Sequence, residues 1–145
     1  MNTFTVTTFI NCPVQEVFDF TKDPANAAQW ISGTECAEWA STGPVGVGSI
    51  LHQVGKFLGR EIDSNAEITQ WDPPSVWGQK TSSGPIKFEN TNKYESKDGG
   101  TLLVQSFAAE VGGFFKVAEG LAIKQMQKQV ESDGQRLKKL LETRM

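Results

Sequence analysis

The sequence predicts an α+β fold built on an antiparallel sheet. Three observations carry that expectation. The chain starts with a Thr-, Val- and Phe-rich segment followed at once by two short helical patterns. From Gly33 to Glu110 it reads as strands joined by short turns, and after Gly112-Gly113 one long helical pattern closes it. Strands linked by short turns pair antiparallel, and helices segregated from them mark the α+β class.

Taken in order, residues 3–10 (TFTVTTFI) favour a strand through β-branched and aromatic content. Pro13 suits the first position of a helix, and Val14, Val17, Phe18 and Thr21 form a one-sided stripe behind it. Asp23-Pro24 stops that helix, because the residue before proline avoids the helical region. A second short helix is predicted over about 25–30, ending near Trp30. Six strands follow, at 34–41, 49–59, 60–71, 76–81, 86–95 and 101–110. DPPS at 72–75 removes ladder donors and breaks the chain, and SKDGG at 96–100 has hairpin chemistry. The last pattern, 114–142, spans about 43 Å as a helix at roughly 1.5 Å per residue. Its apolar side is marked by Phe114, Ala118, Leu121, Ala122, Met126, Val130, Leu137, Leu140 and Leu141. Gly120 and Gly134 interrupt it. Gly120 is the expected point of close approach or bending, and Glu119, Glu131, Asp133 and Glu142 are expected on a solvated face.

A chain of 145 residues suits one domain over 1–145 with a core large enough to contain a hollow. A net charge of −3 offers no basic excess for phosphates, which argues against nucleic acid as a partner. Cys12 and Cys36 make no disulfide framework, and no basic-plus-apolar leader or membrane-length apolar run occurs. The expectation is a cytoplasmic protein with reduced thiols, without a membrane span. One histidine and two distant cysteines give no metal-ligand spacing. GVGSIL at 46–51 lacks the third glycine of a phosphate loop and precedes a strand. No metal and no cofactor are expected.

The stretch IKFENTNKYE at 86–95 alternates strictly. Lys87, Glu89, Thr91, Lys93 and Glu95 belong in water. Ile86, Phe88, Asn90, Asn92 and Tyr94 share the other face, where carboxamides interrupt aromatic rings. Gln105 beside Phe107 repeats that mixture on the last strand. Buried amides need partners, since an unpaired one costs on the order of 1–3 kcal/mol. Either the two asparagines satisfy each other, or a bulge turns one outward, or both line a polar-spotted hollow.

The order of motifs resembles the START-like (SRPBCC) superfamily, within it the polyketide cyclase/dehydrase group. The resemblance rests on INCPVQEVFDFTKDPANAAQW (10–30), GPVGVGS (43–49), GREIDSNAEITQWDPPS (59–75) and DGGTLLV (98–104), and covers nearly the whole chain. It implies a helix-grip fold: a curved seven-stranded antiparallel sheet wrapping the C-terminal helix over a deep apolar cavity that takes hydrophobic small molecules such as lipids, sterols or polyketides. The group shares no universal catalytic motif, so the likeness implies a pocket rather than a reaction.

On that fold the expected ligand-binding walls are Phe18, Trp30, His52, Phe88, Asn90, Asn92, Tyr94, Gln105, Phe107, Phe115 and Met126. His52, the single histidine, shares a strand face with Ile50 and Val54 and is expected to point inward. It is a candidate acid/base, as Tyr94 is a candidate proton shuttle. A lone strand histidine is also a common hydrogen-bonded structural group. Asp63 and Glu67 are expected outside, beside Arg60 or Lys80, and Trp71 and Trp77 as structural. The leading function is binding of a hydrophobic or aromatic small molecule between sheet and helix. The alternatives are a polyketide cyclase, aromatase or dehydratase, and an interaction module using the outer Leu102/Val104 face, with the chain a monomer or homodimer.

Overall fold

The structure, a computed structural model, describes residues 2–111 and 118–144. Its elements are β1 (Asn2–Ile10), α1 (Val14–Thr21), α2 (Ala27–Trp30), β2 (Thr34–Trp39), β3 (Ile50–Phe57), β4 (Arg60–Asp72), β5 (Val76–Ser83), β6 (Ile86–Lys97), β7 (Gly100–Val111) and α3 (Glu119–Thr143). The strands form one curved antiparallel sheet in the order β1-β7-β6-β5-β4-β3-β2. This is the α+β helix-grip arrangement the sequence predicts.

Two tight hairpins set the register. Leu58-Gly59 joins β3 to β4 and Asp98-Gly99 joins β6 to β7, with φ of 50° and 78° in the first pair and 50° and 79° in the second. Two consecutive positive φ values match the twist of the flanking strands. The second hairpin fixes β6 against β7 from Lys97↔Gly100 to Ile86↔Val111. The alternation of 86–95 then becomes geometry: Asn90, Asn92 and Tyr94 are buried, while Lys87, Glu89, Lys93 and Glu95 are exposed.

Pro13 precedes α1, which buries Val17, Phe18, Phe20 and Thr21. The chain then turns through a 3-10 segment, Pro24–Asn26, where the Asp23 carboxylate accepts from the Ala25 amide at 2.9 Å.

In α3 the structure departs from the expected pattern. The predicted start around Phe114 lies outside the described residues. Leu121 is exposed, and the buried positions are Ala122, Asp133, Gly134, Leu137 and Leu141. Asp133 is therefore inside, not on the solvated face. The glycine that permits close approach is Gly134: a Cβ there would lie 2.5 Å from Thr8 Oγ1 on β1, whereas one at Gly120 would meet nothing within 4 Å.

α3 packs chiefly on β1 and β7, toward one side of the sheet. The buried side chains accordingly form two clusters. The larger joins Ile10, Phe18, Trp30, Trp77, Tyr94, Leu103, Leu137 and Leu141. The smaller joins Phe57, Val111 and Ala122, with Ile62, Ile86 and Met126 against it. The space between them is not filled by apolar side chains, and it is where the candidate site lies.

Candidate functional site

A cavity of about 260 Å³ opens between the sheet and α3. Its floor is the concave face of β2 to β7, its ceiling is α3 through Met126, Gln129, Val130 and Asp133, and Ala27, Trp30 and Ile31 border one end. The volume lies just under the ~300 Å³ at which drug-sized ligand sites begin, so a compact guest fits better than an extended one. Trp30, Trp39, Trp77, Phe88 and Phe107 supply ring surface.

Four carboxamides cross the floor. Register places Gln79 opposite Asn90 and Asn92 opposite Gln105. Asn92 Nδ2 donates to Asn90 Oδ1 at 2.9 Å, and Asn90 Nδ2 donates back to Asn92 Oδ1 at 3.3 Å. Gln79 Nε2 donates to Asn90 Oδ1 at 3.1 Å, and Gln105 Nε2 reaches Asn92 Oδ1 at 3.5 Å. The asparagines therefore satisfy each other and also line the cavity. Their placement explains the mixed face of β6: a sheet wall bordering a hollow keeps polar groups when they pair with one another.

Of the expected wall residues, Trp30, Phe88, Asn90, Asn92, Gln105, Phe107 and Met126 line the cavity, and Phe115 lies outside the described residues. Three others lie elsewhere. Phe18 is fully packed, edge-on to Trp71 and Tyr94 with ring centroids 5.7 and 5.2 Å away. Tyr94 shares the inward face of β6 with the asparagines but is buried in the larger core cluster, off the cavity wall. Its hydroxyl accepts from Trp77 Nε1 at 2.8 Å and pairs with Thr21 Oγ1 at 2.7 Å. Burial pushes its phenol up to about 12, despite those two hydrogen bonds, so it holds its proton at neutral pH.

His52 faces outward, contrary to expectation. Its Nε2 lies 2.7 Å from Asp63 Oδ1 on the neighbouring strand, and its Nδ1 4.0 Å from Glu38 Oε1. The cause is register. Leu51 pairs with Ala66 and Gln53 with Ser64, so the inward phase of β4 (Ile62, Ser64, Ala66, Ile68) turns Leu51 and Gln53 inward and His52 out. Glu67 sits 3.9 Å from Lys80, the pairing expected of it.

Among the wall residues that sequence reasoning missed, three bear on its chemistry. Trp77, read as structural, lines the cavity as well as bonding Tyr94, and Gln79 shares its strand face. Asp133 is the third, with only 5% of its surface exposed. Its Oδ1 accepts from the Ser32 amide at 2.9 Å, from Ser32 Oγ at 2.6 Å and from Arg136 Nη1 at 3.1 Å. Arg136 Nη1 also donates to the Trp30 carbonyl at 3.0 Å, tying α3 to the end of α2. Burial raises the Asp133 carboxyl above its ordinary value, and the Ser32 and Arg136 contacts oppose that rise. Spacing carried this signal: Met126, Val130, Asp133, Leu137 and Leu141 recur every three to four residues, so the acid stands in the apolar stripe.

Among the described residues no group of three or more His, Cys, Asp or Glu side chains could hold a metal, and no helix is long and apolar enough to cross a membrane.

Comparison with known proteins bears on this arrangement. Residues 1–142 match a family described as polyketide cyclase/dehydrase and lipid transport. Among solved structures, a Thermus thermophilus protein superposes with a TM-score of 0.82 at 20% identity, covering 95% of each chain. The ZhuI aromatase/cyclase of a Streptomyces species gives 0.81 at 15% identity, covering 99% of this chain and 94% of that one. A conserved Geobacillus kaustophilus protein gives 0.80 at 18% identity, covering 98% and 96%. At these identities the likeness is one of fold. Among curated proteins none matches the sequence significantly.

Proposed function

Because the chain belongs to the polyketide cyclase/dehydrase and lipid transport family, we propose that it binds a compact hydrophobic or aromatic small molecule between its sheet and α3. The observation that carries this reading is the hollow of about 260 Å³ between two separate core clusters. Empty space in a protein interior forfeits packing, at about 24 cal/mol per Å³ in the deletion series of another protein. A void lined by six aromatic residues and a carboxamide row recovers that loss when occupied. Burial of the guest contributes roughly 25 cal/mol per Å² of apolar surface.

The test is native mass spectrometry of the purified chain, before and after exposure to a panel of aromatic, polyketide-like and lipid compounds. A retained or acquired apolar species is expected. An unliganded mass throughout, with no uptake from any class, removes the reading.

A second reading, turnover of a polyketide-like guest, has one observation in its favour. Asp133 places a carboxyl of raised proton affinity on the cavity wall, whereas His52 and Tyr94 do not border it. On this reading Asp133→Asn abolishes turnover of any substrate found and His52→Ala leaves it unchanged. Full activity of Asp133→Asn rules out the role.

A further inference from the structure

Asp133 is anchored by one oxygen only. The Ser32 amide, Ser32 Oγ and Arg136 Nη1 all donate to Oδ1, and Oδ2 receives none of them. Among the described residues, the buried side-chain atoms that lack both a partner and appreciable surface are Trp30 Nε1, Gln79 Oε1 and Gln105 Oε1. Asp133 Oδ2 is not one of them. The side chain keeps 8% of its surface, on a residue that lines the cavity. An ionised carboxylate accepts on both oxygens, so one of this group's two acceptors is unused and open to the hollow. Arg136 meets Oδ1 alone and is not itself part of the wall. The other charged residues of the wall are Lys22 and Lys56. Lys22 Nζ lies 3.7 Å from Asp19 with its side chain 41% exposed, and Lys56 is exposed, so neither ammonium is drawn to Asp133. The amide row is neutral, and its two unpartnered oxygens are sealed.

We infer that Asp133 is the anchor for a basic nitrogen: the cavity takes a compact apolar or aromatic guest carrying one protonated amine, whose N–H groups reach Oδ2. The inference rests on the ligand-binding reading above and adds the charge of the guest. Burial is the main cause of this carboxyl's raised proton affinity, and a cation at Oδ2 replaces the solvent that burial removes. Hydrogen bonds between ionised partners are roughly twice as strong as neutral ones. An anionic guest meets a like charge at the same place, and a neutral hydrocarbon leaves Oδ2 unpaired. Trp30, Trp39 and Trp77 take the apolar body of the guest, and the faces of such rings also attract a cation.

Isothermal titration calorimetry on the full chain at neutral pH compares three probes of similar shape: naphthylmethylamine, ethylnaphthalene and naphthoate. The amine should bind more tightly than ethylnaphthalene, by roughly tenfold or more, and naphthoate should bind most weakly. Asp133→Asn keeps an acceptor oxygen for Ser32 and removes the charge, so it should erase most of the amine's advantage. In the unaltered chain with carboxyl-labelled aspartate, the Asp133 carboxyl resonance should move further on saturation with the amine than with ethylnaphthalene. Equal or weaker binding of the amine overturns the anchor and leaves ligand binding standing. An advantage that survives Asp133→Asn, in a variant with unchanged circular dichroism, overturns the assignment to Asp133. Where that variant does not fold, an Asp133 resonance that responds no more to the amine than to ethylnaphthalene overturns it instead. Binding of none of the probes overturns this inference; the ligand-binding reading falls with it only if the broader compound panel also gives no uptake.

Discussion

Tyr94 is the chain's single tyrosine, and its surroundings make it a rigid support. The Val17 carbonyl accepts from Thr21 Oγ1 at 2.8 Å, which leaves that oxygen to accept from Tyr94, while Trp77 Nε1 donates to the phenol. Tyr94→Phe leaves the Trp77 indole N–H buried without its acceptor and should cost about 1–3 kcal/mol in urea unfolding. Absorbance titration should detect no tyrosinate in the folded chain until pH approaches about 12. Ionisation near 10, as in a free phenol, contradicts the assigned burial. Asp133 makes a separate prediction. The folded chain holds that proton above the ordinary carboxyl value of 3.8, so the unfolded chain binds fewer protons at the site. Its contribution to stability therefore declines as pH rises from 3.8 through the raised folded value, then stays flat. Glu142 runs oppositely: the Asn11 amide and Lys138 lower it, so its contribution is lost as pH falls through the lowered value. Urea titrations of the unaltered chain and Asp133→Asn, between about pH 4 and about pH 7, should diverge in favour of the variant as pH rises. A difference that does not vary with pH sinks this account.

Among the elements, β6 and α3 carry opposite lessons. The alternation of β6 was legible because the strand period is two and a charge at every other position leaves one choice of face. The mixed character of that face was legible too, though not which of its polar groups would end unpaired. In α3 the apolar period located the helix but not its contact point. Gly120 and Gly134 are the same residue in one helical pattern; only docking shows that Gly134 lies over Thr8. Gly134→Ala should destabilise by about 1–2 kcal/mol net, overpacking against Thr8 outweighing the helix-propensity gain. Gly120→Ala should instead be neutral or stabilising by up to about 1 kcal/mol. Thermal unfolding of the two variants checks both, and a stabilised Gly134→Ala would show that Thr8 yields. The phase of β3 was misread for a similar reason. Ile50, His52 and Val54 look like an inward face taken alone, but pairing Leu51 with Ala66 and Gln53 with Ser64 assigns inwardness to the other phase.

At the scale of the molecule, α3 rests against β1 and β7, the two clusters do not merge, and a cavity remains between them. A guest that binds only the folded chain stabilises it by mass action, by about 2.7 kcal/mol at one hundred times its dissociation constant. An uptake-positive compound should therefore raise the unfolding midpoint progressively with concentration, and one that leaves it unchanged is not bound in the fold. The sequence by itself determined the order of elements, the antiparallel sheet, the hairpin at Asp98-Gly99 and the inward face of β6, because local periods and turn conformations depend on neighbours a few residues apart. Tertiary structure alone decided that His52 faces out, that Tyr94 is a strut, and that Gln79 and Gln105 end the amide row. Each of those outcomes depends on which strand or helix lies opposite, a relation between residues distant in the chain that no local pattern contains.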